Sequence, residues 1–206
     1  MPEIRLDQFS SFCSLGPRPF LMTGFLRQWM TSHFSAETQI EHPELRSLVW
    51  QKNITTEILI ESITKWKPEL TGKRPAIMIK RNDWQVVRWG IGNRMLGDDG
   101  SDLGYEHFAV GLVGSHTFFC ISSEAQVAEV LGCEVYRELM RFSPVIQRAL
   151  DLKRLELSGI GALFEIEEEL EHYAVPITIM YGLEDKWVLL PHAPHIKTIK
   201  LSALIE

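Results

Sequence analysis

The sequence predicts an α+β fold: a mostly antiparallel sheet packed against one long helix, with an N-terminal helical extension. Three observations carry that expectation. Two strand-rich blocks, 75–121 and 152–190, flank one stretch from Ser123 to about Arg148 whose apolar residues recur every three or four positions. The blocks themselves are rich in β-branched and aromatic residues, and their best segment alternates on a period of two. A loop with five glycines and three aspartates, 90–104, breaks the first block where the chain needs freedom to turn.

Each element has a local cause. After Gly16-Pro-Arg-Pro19, the residues Phe20, Leu21, Phe25, Leu26, Trp29, Met30 and Phe34 recur at helical spacing, so a helix is expected from about Pro19 to Phe34. Residues 35–53 are polar, with a short helix expected around Leu45 to Trp50. Ile54 to Ile60 reads as strand or turn, and Ile58, Ile60 and Trp66 supply apolar anchors. Pro68 and Gly72 close this region, which divides the chain into an extension, 1–72, and an α/β domain, 73–206.

Pro75 to Lys80 reads as a strand, Asn82-Asp83 as a turn, and Trp84 to Trp89 as the returning strand of a hairpin. Tyr105 to Ile121 is a further strand that Gly114-Ser115 is expected to bend or split. Ser122 or Ser123 is the expected N-cap of the long helix, with Glu124 favoured by the helix dipole. Val127, Leu131, Val135, Leu139 and Phe142 form its apolar stripe, and Glu129, Arg137, Glu138 and Arg141 fall largely off it. Ala128 and Gly132 permit close approach to a sheet, and Pro144 is expected to kink or interrupt the helix. Leu155 and Leu157 begin a strand; Tyr173, Val175, Ile177, Ile179 and Tyr181 share one face of another. Pro191, Pro194 and Ile196 to Leu201 read as an extended tail.

At 206 residues and 45% hydrophobic content the chain can bury a core. A formal charge of −6 argues against a general nucleic-acid binder, which needs cations to displace counterions from phosphates. Cys13, Cys120 and Cys133 show no CxxC spacing; Cys120 and Cys133 read as small buried hydrophobes of a reducing compartment. Neither a signal peptide nor a membrane-length apolar run is evident, so a soluble protein without membrane association is expected.

Catalytic and metal motifs fail on spacing. Pro194 breaks any helix between His192 and His195. Gly114-Ser-His116 lacks the second glycine of a nucleophile elbow, Gly90-Ile-Gly92 lacks the third glycine of a phosphate cradle, and Asp98, Asp99 and Asp102 miss the EF-hand spacing. No enzyme, cofactor or metal is expected. Charge clusters are more informative. Lys73, Arg74, Lys80, Arg81, Arg88 and Arg94 crowd the first hairpin region, and Glu165, Glu167, Glu168, Glu169 and Glu171 form a later acidic run. Solvated surfaces are the plain reading of both. The sharper one is a head-to-tail contact between subunits, with Lys80, Arg81 and Arg88 facing Glu167, Glu168 and Glu169 of the next copy.

The order of elements resembles the small α/β fold of bacteriophage tail terminators and related head–tail neck proteins. Trp66-Lys-Pro-Glu-Leu70, Arg74-Pro-Ala-Ile77, Gly114-Ser-His-Thr117, Glu134-Val-Tyr-Arg-Glu-Leu139 and Val175-Pro-Ile-Thr178 resemble strings of phage structural proteins. The resemblance covers about Lys73 to Leu190, and the N-terminal residues exceed what a minimal terminator needs. It implies a virion protein that forms a hexameric ring on the tail tube and meets the head connector, and in contractile tails the last sheath ring. DNA would pass through an acidic lumen that does not hold it. The alternatives are another neck, tube or baseplate component, a small intracellular enzyme using dispersed residues such as His107, His116 and Asp185, or an adaptor using the N-terminal helix.

Overall fold

Two long β-forming runs, 106–122 and 173–189, pair antiparallel along their whole length, from Glu106 opposite Leu189 to Ser122 opposite Tyr173. The remaining elements assemble around that pair. A computed structural model describes residues 19–52, 56–65, 75–88, 106–166 and 172–189. Among these residues lie two α-helices, α1 (Pro19–His33) and α2 (Ala125–Ala149). The strands are β1 (Leu59–Ser62), β2 (Ala76–Arg81), β3 (Gln85–Val87), β4 (Glu106–Ser122), β5 (Arg154–Ile160), β6 (Phe164–Glu165) and β7 (Tyr173–Leu189). They form one mixed sheet in the order β1-β2-β4-β7-β5. β3 continues the lane of β2 along β4, and β6 continues the lane of β5 along β7. Every neighbouring pair is antiparallel except β1 with β2. The fold is therefore α+β and mostly antiparallel.

One sheet face meets both helices. Ile77 and Ile79 on β2, Phe118 and Cys120 on β4, and Val175, Ile177, Ile179 and Tyr181 on β7 are buried there with Leu131, Val135 and Leu139 of α2. Close contact depends on Gly132: a Cβ at that position would lie 2.9 Å from Val175 Cγ1. α1 joins the same core through Met22, Phe25, Leu26, Trp29 and Met30. β1 lies before the boundary expected at residue 72, yet it pairs with β2 beyond it. The N-terminal helix and the sheet thus share one core. The opposite sheet face buries a smaller cluster, Ala76, Met78, Ile121 and Ala174.

Several local expectations are corrected. Asn82-Asp83 does not reverse the chain, because both β2 and β3 pair with β4. Arg81 opposes His116 and Gln85 opposes Val113, so residues 82–84 face only 114 and 115, which is a β-bulge. Asn82 stitches it down: its backbone N–H donates to Ser115 O at 3.0 Å, and its Nδ2 donates to Ser115 Oγ at 3.1 Å and Thr117 Oγ1 at 3.0 Å. A hairpin would have left this stretch of β4 without those partners. β4 runs unbroken through Gly114, whose missing side chain makes room for Trp84; a Cβ there would meet Trp84 Nε1 at 2.5 Å.

Helix α2 also continues through Pro144 to Ala149. Proline cannot donate to the carbonyl four residues back, and the Ser143 hydroxyl donates to that Met140 carbonyl instead, at 3.1 Å. Its N-cap is Glu124 rather than a serine; Ser122 closes β4, and its hydroxyl accepts from the Glu124 N–H at 3.2 Å. Cys120 is buried, but Cys133 is exposed, since one residue past Gly132 turns about 100° away from the sheet. The helix expected around Leu45 to Trp50 is a single 3-10 turn at Pro43–Leu45, beyond which the Trp50 N–H donates to Phe34 O at 2.8 Å. The loop 90–104, Trp66, the acidic residues 167–171 and the tail beyond 189 lie outside the described residues.

Leu139 is 1% exposed, so Leu139→Asp should cost on the order of 3–5 kcal/mol, the penalty of an unpaired buried charge. A melting temperature within a degree or two of wild type would reject this placement of α2. Gly114→Ala must expel the Trp84 indole and should cost about 1–3 kcal/mol in chemical denaturation, with a red-shifted tryptophan emission.

Candidate assembly interface

Pairing across the sheet sorts residues into rows, and the rows locate the expected interface residues. Lys80 shares a row with Thr117 and Thr178, and Arg81 shares one with His116 and Ile179. Both are exposed, as are Arg88 and the whole of β3. Lys80, Arg81 and Arg88 therefore lie along one outer lane, with Asp83 as the intervening anion. Val86 and Val87 of that lane are 63% and 42% exposed. Among the described residues, no hydrogen bond reaches Gln85–Val87 from the side away from β4.

Glu167, Glu168 and Glu169 lie outside the described residues, but their flanks are placed. Glu165 is exposed on β6, and the Ile166 N–H donates to His172 O at 2.9 Å. The basic lane and Glu165 therefore belong to opposite edges of one sheet. Their rows differ: Glu165 is level with Tyr173 and Ser122, five rows beyond Lys80 at Thr117. That offset is about 17 Å along the strands.

One cluster of buried polar groups joins the two helices. His33, at the end of α1, presents Nε2 to Glu134 Oε1 at 2.8 Å and Nδ1 to Glu138 Oε2 at 3.2 Å. The backbone N–H groups of Glu41 and His42 donate to Glu134 at 2.9 and 3.2 Å, and Trp29 Nε1 donates to Glu138 at 3.1 Å. Burial pulls the His33 pKa down, but the two carboxylates more than offset it and raise it to about 9. Burial raises the Glu134 pKa, and the His33 ring with the two amides outweighs this, leaving a net decrease. Outside the cluster, Glu41 holds Arg137 at 3.0 Å and also pairs with Arg141.

A second network crosses the sheet. Trp84 Nε1 donates to Tyr181 Oη at 3.0 Å, leaving the tyrosine hydroxyl free to donate to His116 Nδ1 at 2.8 Å. His116 Nε2–H then donates to Thr23 Oγ1 on α1 at 2.8 Å. Burial, aided by the Arg81 charge, lowers the His116 pKa to about 4, and burial raises that of Tyr181. This geometry does not assemble the dispersed catalytic set. Asp185 opposes Val110 and His107 opposes Val188, so Asp185 lies six rows from His116, about 20 Å along the strand. Among the described residues, no group of three or more His, Cys, Asp or Glu is placed to hold a metal ion.

His33, Glu134, Tyr181 and Trp84 were not singled out as polar partners by sequence patterning, and Glu138 was placed off the helix stripe. A signal existed for the acids. Positions 131, 134, 135, 138, 139 and 142 follow the three-four spacing of a core face, so Glu134 and Glu138 occupy core positions and require partners. Neither protein-family models nor curated proteins yield a match to the chain.

The two histidines predict a stability optimum near pH 6–7. His33 has a raised folded pKa, so its contribution is complete below about pH 6.5 and is lost as pH rises through about 9. His116 has a lowered one, so its neutral form stabilises above about pH 6.5 and that contribution is lost as pH falls towards about 4. The acid arm also includes Glu134, whose contribution goes as it protonates. Each histidine contributes at most about 3 kcal/mol. Thermal melts from pH 4 to 9.5 should show the optimum, and His33→Gln should flatten the alkaline arm selectively.

Proposed function

We propose that the chain is a structural protein of a phage virion: a neck component of tail-terminator type that works by assembling with copies of itself. In this reading the copies form a hexameric ring at the end of the tail tube. The ring stops tube growth, presents a surface to the head connector and, in contractile tails, touches the last sheath ring. The observation that carries the proposal is that, among the described residues, no strand covers the outer side of β3 or of β5, and the two edges differ in charge. Lys80, Arg81 and Arg88 line one, and Glu156 and Glu165 are exposed on the other. Unlike edges on one subunit give a head-to-tail contact, which closes into a ring when the rotation between copies allows.

The sequence resemblance supplies the place in the virion, and the net charge of −6 is compatible with a lumen that lets DNA slide. The buried networks fit the same reading, because their polar groups are committed to holding helices on the sheet.

Immunogold labelling of assembled virions should place the chain at the top of the tail, and light scattering should give a mass near six subunits for the ring. Labelling elsewhere in the particle, or none, rejects the terminator assignment. Rings without virion labelling would leave self-assembly standing and remove the neck.

A further inference from the structure

We infer that the sheet edge outside β3 is a notch that receives β5 of a second copy, antiparallel. This contact deepens the assembly reading and rests on it only for the existence of a self-assembled state.

The notch follows from the rows. β1 borders β2 only at Ala76–Ile79, the rows of Phe118–Ile121 on β4. From Lys80 onward no strand lies outside the β2–β3 lane among the described residues. The uncovered stretch spans the rows of Gly111 to Thr117. At the other edge of the sheet, β5 keeps a regular register only over Arg154–Leu157. Those residues are level with Gly182–Ile179 on β7, hence with Val113–His116 on β4. The straight part of β5 therefore lies within the height of the notch without any shift along the strands, its ends level with Gln85 and Arg81 and its middle level with the 82–84 bulge.

Beyond Leu157 the lane kinks. Its register slips between Leu157 and Ile160, and Gly159 takes φ +114°. Ile160 is level with Ile177 and Phe118, the row at which the neighbouring copy's β1 would begin. A bulge there turns the strand away from an edge already occupied. The β1 edge is itself obstructed: Arg27 Nε donates to Ile60 O at 3.3 Å, and Arg27 pairs with Glu61 at 2.8 Å.

Direction and chemistry agree. β3 runs antiparallel to β4, β7 antiparallel to β4, and β5 antiparallel to β7, so β3 and β5 point opposite ways. Copies related by rotation about an axis along the strands would bring them together antiparallel, continuing the alternation of the sheet. On the helix-covered face, exposed Val86 would lie diagonal to half-buried Leu155. On the other face Lys80 would lie diagonal to exposed Glu156, now paired with Arg154 of its own strand at 2.6 Å. Diagonal cross-strand pairs of long side chains are within reach. Lys80 thus meets Glu156 in this arrangement, and Glu165, five rows from Lys80, does not take part.

Gln85 and Arg154 are row-mates through Val113 and Gly182, and both are exposed. Within one chain they are three strand spacings apart, about 14 Å, too far for a disulfide. The test is Gln85→Cys with Arg154→Cys in a chain whose Cys13 and Cys133 are replaced by Ser, oxidised at concentrations where light scattering shows assembly. A ladder of covalent oligomers on non-reducing gels is expected, with neither single cysteine extending beyond dimers. A second arm follows mass: Lys80→Glu should weaken self-association at least tenfold, and added Glu156→Lys should restore it. Assembly without a ladder, or rescue by Glu168→Lys but not by Glu156→Lys, overturns the contact and leaves the ring reading intact. A chain that stays monomeric at every concentration overturns it as well. A ladder from a protein missing from virions upholds the contact and removes the neck assignment.

Discussion

The antiparallel pairing of β4 with β7 is the constraint on which the rest of the structure depends. Each strand serves two neighbours, so β4 also receives β2 and β3, and β7 also receives β5 and β6. A shift of β7 by one residue against β4 would exchange the two faces of β7. Ile177 and Ile179 would leave the core, and Met180 would enter it. The apolar alternation of β7 and the glycine at 132 hold the register, because only one face of β7 offers Val175 to a helix that has no side chain in the way.

Helix α1 is held by charge as well as by apolar burial. A protonated His33 between Glu134 and Glu138 is a buried ionic group, and such groups seldom add net stability over well-packed apolar residues. What this one supplies is a unique docking of α1 and of the backbone at 41–42 on α2, since five donors converge on two carboxylates. His116 and Tyr181 act similarly on the other flank of α1, through Thr23. The sheet and α1 are therefore positioned by polar geometry as well as by apolar packing.

In the proposed assembly, a subunit whose His33 and His116 networks hold α1 on the sheet presents its edges at fixed heights, and edge pairing depends on matched heights. The bulges in the outer lanes are part of that. Residues 82–84 step the basic lane around Trp84, and 158–160 bend the opposite lane away. Both limit which strand can add to the edge, a device against promiscuous sheet extension.

Much of the fold was legible in the sequence, because periodicity reports burial directly. Leu131, Val135 and Leu139 mark the core face of α2, Val175 to Tyr181 mark that of β7, and Phe25, Leu26 and Trp29 mark that of α1. Gly132 was legible as a site of close approach, and Lys80, Arg81 and Arg88 as an exposed basic set. Only the tertiary structure decided which strands pair. Asn82-Asp83 satisfies a turn and a bulge equally well by local chemistry, and the long unpaired edge of β4 selects the bulge. Likewise Glu138 looked solvent-facing until His33, 105 residues earlier, supplied its counter-charge. Local sequence determines what each element is and which face it hides; pairing and charge matching act between residues far apart in the chain, and only the folded structure brings them together.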